Sequence, residues 1–279
     1  MITTSTVAAV AMAASMGSAI VVQDQASLRS APRQSAQQQT TLWQGEVLEV
    51  RGERMDYLQV WDHKRERGGF IRASEVRRVA LTEDEAPALL AMLRFVRDTP
   101  GSEALGIGFT AAWLQAAPGP VLAGGQGAQA LEALGTLADR LAHRASAVVP
   151  GKTPGATLSA HRDVAQGYGV RFVSYAVEGR MQVCYDGEAF RRVLAMAQAA
   201  PDQRARAALG LTRPECIDPD LPAHARAAVQ EWQAQVLERV EVSALPTYLR
   251  NRVQMRRAMV WSALAYQQAR KDIHGPAVA

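Results

Sequence analysis

Lysine is nearly missing from this chain. Of 31 basic residues only Lys64, Lys152 and Lys271 are lysines, and the other 28 are arginines. Set against 27 acidic residues they leave a net charge of +4, spread along the sequence. So small and diffuse an excess excludes an obvious polyanion binder, and no nucleic-acid partner is expected. Aromatic residues are scarce at 6%, and 21 glycines with 13 prolines among 279 residues are an ordinary share, which excludes a collagen-like or low-complexity chain. No apolar run is long enough for a transmembrane span, so a protein without a stable membrane span is expected. What abounds is alanine, with 51 residues. An alanine-rich, aromatic-poor composition points to a mostly helical chain, and the length allows one large domain or two.

No charged residue precedes Asp24, and residues 7–22 are small and apolar. Such a run, ending near Gly17-Ser18-Ala19 with small residues at the −3 and −1 positions, reads as a secretory leader over 1–19. It lacks a basic start, so the leader is atypical or the chain begins inside a longer precursor. The alternative is an alanine-rich tail on a cytoplasmic protein. Cys184 and Cys216 bear on the same question. In an oxidising compartment they would pair around a loop of about 32 residues; in the cytoplasm they would be buried free thiols. Neither has a nearby histidine or a Cys-x-x-Cys spacing, so neither a metal site nor a redox motif is expected.

Residues 20–79 carry short apolar stretches at 20–22, 27–28, 40–43, 47–50, 57–61 and 70–71. Turn residues part them at Ala31-Pro32, Gly45, Arg51-Gly52 and Gly68-Gly69. Strands so short and closely spaced predict a small barrel. Four segments carry a family likeness: Ala26-Ser27-Leu28-Arg29-Ser30-Ala31-Pro32, Leu42-Trp43-Gln44-Gly45 with Glu46-Val47-Leu48-Glu49-Val50, Asp56-Tyr57-Leu58-Gln59-Val60, and Gly69-Phe70-Ile71-Arg72-Ala73-Ser74-Glu75-Val76. In order and spacing they resemble the bacterial SH3-like (SH3b) family, over about 60 of 279 residues. Tyr57 and Phe70 stand where that family usually has tryptophan, and the opening lacks its asparagine. The resemblance implies an SH3-like barrel that binds cell-wall peptides or serves as a docking unit in an exported bacterial protein.

Strand alternation adds a surface to that expectation. With Leu42, Leu58, Val60 and Ile71 inside, Trp43, Tyr57, Trp61 and Phe70 turn outward as ligand-binding candidates. The alternative is that this aromatic face packs against the rest of the chain.

From residue 81 the apolar period becomes helical. Helices are expected from near Asp84 to a stop at Thr99-Pro100-Gly101, over 102–116, over 128–146, from Asp186, from Pro201 to Leu211, after an Asp218-Pro219 cap, and over 244–272. A Pro/Gly linker covers 148–156. Residues 170–186 read either as a hairpin turning at Glu178-Gly179 or as a helix to about Ala176 leading into an extended segment, and the helix is preferred. On the last helix, Arg257 and Trp261 are spaced to stack.

The sequence carries no recognisable catalytic motif, and no catalytic residue, metal ligand or cofactor is assigned. Gly125-Gln126-Gly127 lacks the buried strand of a dinucleotide fold, and Pro154 spoils the phosphate-loop likeness of Gly151-Lys152-Thr153. Asp139 with His143, and His161-Arg162-Asp163, are the only acid–base groupings worth following. The sequence therefore predicts an α+β, multidomain chain, with a small SH3-like β-barrel at 20–79 followed by a mostly α-helical domain at 80–279. It would be a periplasmic or secreted binding or scaffold protein whose partner is a peptide, a cell-wall fragment or an envelope protein. The alternative is a wall-directed hydrolase with an unrecognised site in the helices.

Overall fold

The short apolar stretches before residue 80 become seven strands in a computed structural model, which describes residues 17–147 and 155–273. They are β1 (Ser18–Val21), β2 (Ala26–Arg29), β3 (Gln38–Leu42), β4 (Val47–Arg54), β5 (Tyr57–Asp62), β6 (Arg67–Arg72) and β7 (Val76–Val79). All pair antiparallel in the order β3-β2-β6-β5-β4-β1-β7. The expected barrel is present only as far as this sheet, because β3 and β7 remain its open edges. A single 3-10 turn, Ala73–Glu75, joins β6 to β7. The period-two pattern works as sequence alternation requires: Leu28, Leu42, Leu48, Leu58, Val60 and Ile71 are buried together on one side.

Strand β1 is buried on both faces. Ala19 and Val21 join the sheet's own core, whereas Ile20 points the other way and packs, with Val79, among helical residues. The expected boundary after residue 19 therefore falls inside a strand, since Ser18 and Ala19 already pair with Val79 and Arg78. The rest of the expected leader, residues 1–16, lies outside the described residues.

The remainder is mostly helical. Helices α1 (Ala86–Arg97), α2 (Glu103–Ala116), α3 (Gly119–Ala123), α4 (Gly125–Ser146) and α5 (Gly155–Gly167) come first. Most of the 148–156 linker lies outside the described residues. Leu89 and Leu93 of α1, Ile107 and Trp113 of α2, and Leu137 and Leu141 of α4 form the first helical core. Helices α6 (Glu188–Ala195), α7 (Pro201–Leu211), α8 (Ala223–Glu238) and α9 (Thr247–Ile273) follow. Leu237, Leu249, Val253 and Val260 join Ala205 and Ala208 of α7 in a second core.

Three expectations need correction. Residues 172–185 are a hairpin, β8 (Phe172–Val177) and β9 (Arg180–Tyr185), not the end of a helix. Glu178 and Gly179 both adopt positive φ, 48° and 74°, the geometry of a tight hairpin turn, and the flanking Val, Tyr and Phe residues favour strands. Helix α8 starts at Ala223 rather than after Asp218-Pro219: Asp218 accepts a hydrogen bond from the Asp220 amide in a turn, and Pro222 precedes the helix instead. Arg257 does not stack on Trp261, which is half exposed. It donates to the carbonyls of Leu237 and Val240, satisfying the end of α8.

Cys184 of β9 is disulfide-bonded to Cys216, with the Cα atoms 5.7 Å apart. The bridge ties the hairpin to the 3-10 turn Pro214–Cys216 between α7 and α8.

Candidate functional site: the groove between sheet and helices

The sheet meets the helices through a very close backbone approach. Gly45, in the β3–β4 turn, has φ +89°, and a Cβ there would overlap the Ala104 carbonyl of α2. A Cβ on Gly108, one turn further along α2, would lie 2.5 Å from the Gly45 carbonyl oxygen. Only two glycines permit this approach. The same carbonyl accepts a 2.6 Å hydrogen bond from the Tyr168 hydroxyl, just beyond α5. Burial raises the Tyr168 pKa well above the ordinary phenol value, and the nearby Glu46 adds to it, so this tyrosine stays a neutral donor.

Beside this contact lies a polar seam. The Nε2 of His161 in α5 is 2.7 Å from Asp24 Oδ1, and the Gln44 side-chain nitrogen donates to Asp24 Oδ2 at 3.1 Å and to the Gly101 carbonyl at 2.9 Å. His161 is 1% exposed, and the Trp43 ring stands edge-on to it at 6.3 Å. Its histidine is one of the acid–base candidates, yet its carboxylate partner is Asp24 and not the adjacent Asp163.

On the other side of Gly45 the sheet and α5 diverge into a groove of about 580 Å³. Its apolar floor comes from Val47 and Leu48 of β4, Leu81, and Val164 of α5, and Val47 is 41% exposed there. The β5–β6 turn forms the far wall. Asp62 accepts from the amides of Lys64 and Arg65, fixing that turn, and the Arg65 guanidinium bridges Asp62 and Glu46 at 2.8 Å each. Burial disfavours the Arg65 charge, but these two carboxylates outweigh it and raise its pKa. At the rim His63 reaches Glu49 at 2.7 Å, and Arg51 holds the Glu49 pKa below the usual carboxylate range. The groove is thus an apolar trough with mostly paired charges at its edge, while the Lys64 ammonium donates to the Asp163 carbonyl rather than to a carboxylate.

The four aromatic candidates do not form one open surface. Register places Tyr57, Trp61 and Phe70 on a common face of β5 and β6, opposite Arg72, Gly68 and Gln59 respectively. Tyr57, however, is only 3% exposed, and its hydroxyl accepts from Arg72 at 3.2 Å. Trp61 is half-buried under the Arg51 guanidinium, 4.4 Å from its ring, and Phe70 is half-buried as well. Trp43 lies in the seam, against the helices. Tyr57 is therefore buried, whereas Trp43, Trp61 and Phe70 are each half-buried in different surroundings. The groove residues Glu46, Asp62 and Tyr168, and Arg65 that pairs with the first two, carry no signal of this site in the sequence. Only Asp62 and Arg65 are close enough along the chain to have signalled a pair.

Asp139 and His143, the other acid–base candidates, line a separate cleft between α4, α7 and α9, where Asp139 is ion-paired with Arg213. Among the described residues no helix is long and apolar enough to cross a membrane. No protein-family model matches the chain, and no curated protein or solved structure is significantly similar to it.

Proposed function

We propose that this is an exported, non-enzymatic binding or scaffold protein of the bacterial cell envelope. In this reading an SH3-like sheet unit and α5 together hold a peptide, a cell-wall peptide fragment or an extended segment of a protein partner. The observation that carries it is the groove: it has the size of a small-ligand site, a continuous apolar floor and a rim of mostly paired charges. Such a surface favours an amphipathic, weakly charged ligand, because most of its charges are already paired and the exposed Lys64 ammonium is left for a polar or anionic group. Two further observations support the reading. The segments at 26–32, 42–50, 56–60 and 69–76 resemble wall-binding SH3b modules. The Cys184–Cys216 bridge suits an oxidising, periplasmic or extracellular compartment.

Purified cell-wall fragments and short synthetic wall peptides, titrated calorimetrically, test the proposal. The wild type should bind saturably. Val47→Glu, at an exposed floor position, should weaken binding by about tenfold or more with little loss of stability. If the wild type retains neither fragments nor peptides, or if Val47→Glu binds as well as the wild type, the groove reading is wrong.

A further inference from the structure

The evenly spread charge of the sequence becomes uneven on folding. Five arginines converge on a cleft of about 400 Å³ between α4, α7 and α9: Arg140, Arg206, Arg213, Arg252 and Arg256. The acidic residues of the same cleft are only Asp139 and Glu215. Phe190 and Leu209 supply an apolar wall.

These guanidiniums are not equally compensated. Arg213 is clamped between Asp139 and Glu215, and Arg206 is shared by Asp202 at 2.5 Å and Glu132 at 3.5 Å. Arg140 lies 3.8 Å from Glu103, a carboxylate that Arg144 approaches more closely, and otherwise donates to the carbonyls of Arg97 and Thr99. Arg256 donates only to the Leu209 and Thr212 carbonyls and the Thr212 hydroxyl, none of which carries formal charge. Arg252, exposed one turn before it on α9, has no hydrogen-bond or ion-pair partner among the described residues.

Two cations facing one cleft, neither in an ion pair and one of them with Glu215 as its main nearby counter-charge, are an arrangement that an anion would relieve. Burial lowers the Arg256 pKa; Glu215 opposes that only in part, and Arg213 and Arg252 push further down. Guanidinium forks match the oxygens of phosphoryl and carboxylate groups in pairs, which lysine cannot do.

We infer that the cleft between α4, α7 and α9 is a binding site for a small, multiply charged oxyanion, held by Arg252 and Arg256 against the wall formed by Phe190 and Leu209. The ligand is of small-molecule size, and its oxygens belong to phosphoryl groups or to closely spaced carboxylates. The site is independent of the sheet–helix groove, so its fate does not decide that of the groove.

Calorimetric titration with pyrophosphate and with citrate, at fixed ionic strength, distinguishes the two sources. Saturable binding is expected for at least one of them, and the tighter probe identifies the oxyanion class. Arg252→Gln should weaken it by about tenfold or more, whereas Arg270→Gln, the same charge change at the far end of α9, should leave it intact. Because Arg252 is exposed and unpartnered, its replacement spares the fold, which a thermal melt confirms. The inference is overturned if neither probe binds saturably, if sodium chloride at equal ionic strength reproduces the whole effect, or if Arg252→Gln binds like the wild type.

Discussion

The groove beside β4 and the cleft beside α9 are both built from charged side chains, but they treat charge in opposite ways. In the groove Arg65 is fastened to Glu46 and Asp62, and His63 to Glu49. What remains open there is mostly the apolar floor. In the cleft the carboxylates run out before the arginines do, and the exposed chemistry is cationic. Net charge therefore says little about either place: what a surface can bind depends on which charges have already found partners inside the fold.

The heaviest test of that contrast is Gly108→Ala. Its new methyl would meet the Gly45 carbonyl oxygen at 2.5 Å, a backbone atom that cannot swing aside, so the sheet must move off α2. A stability loss of about 3 kcal/mol is expected from the urea midpoint. Groove binding should vanish with it, while pyrophosphate or citrate binding in the cleft survives.

The reverse separation comes from Cys184→Ser combined with Cys216→Ser. Losing the bridge should cost about 2–4 kcal/mol and free the turn that presents Arg213 and Glu215 to the cleft. Here oxyanion binding should suffer and the groove should not.

A smaller effect lies in pH. Burial raises the pKa of Glu132, and the opposing attractions of Arg97 and Arg206 do not cancel it. The folded state then holds this proton more tightly than the unfolded chain does. Stability should rise as pH falls through the folded pKa and stop rising once the ordinary carboxylate value is passed. Glu49 and Glu188, held low by Arg51 and Arg192, act in the opposite sense and lose their contribution only at lower pH. Glu132→Gln should flatten the slope of the urea midpoint at pH above the ordinary carboxylate value of 4.5. The least effect is expected from Arg51→Ala, about 0.5 kcal/mol from the Trp61 contact, seen as a change in tryptophan emission.

Local signals made much of the architecture legible. Thr99-Pro100-Gly101 stops a helix where expected, Pro201 opens α7, alternation in β5 buries Leu58 and Val60, and the cysteine pair is bridged. The failures have a common cause, which is contact across long separations. Asp24 and His161 are 137 positions apart, so the seam had no pattern to announce it. Tyr57 shares a face with Trp61 and Phe70, but its burial depends on Arg72, and the neighbour of half-buried Trp43 is His161 of α5. The five arginines of the cleft are drawn from α4, α7, the segment after it and α9, and no window of sequence contains them together. At 172–185 the ambiguity is local: apolar runs this short fit helix or strand equally well, and the positive-φ turn at Glu178-Gly179 decides for the hairpin.

The two-sided burial of β1 has a consequence for how portable the N-terminal unit is. A gene fragment ending at residue 79 would encode every strand of the sheet yet carry Ile20 and Val79 without the α1, α2 and α4 side chains that enclose them. Recombination or truncation at that point would yield a sticky, self-associating product rather than a transferable cassette. A piece moved intact must carry those helices with it, together with His161 and Tyr168, which are hydrogen-bonded to Asp24 and Gly45.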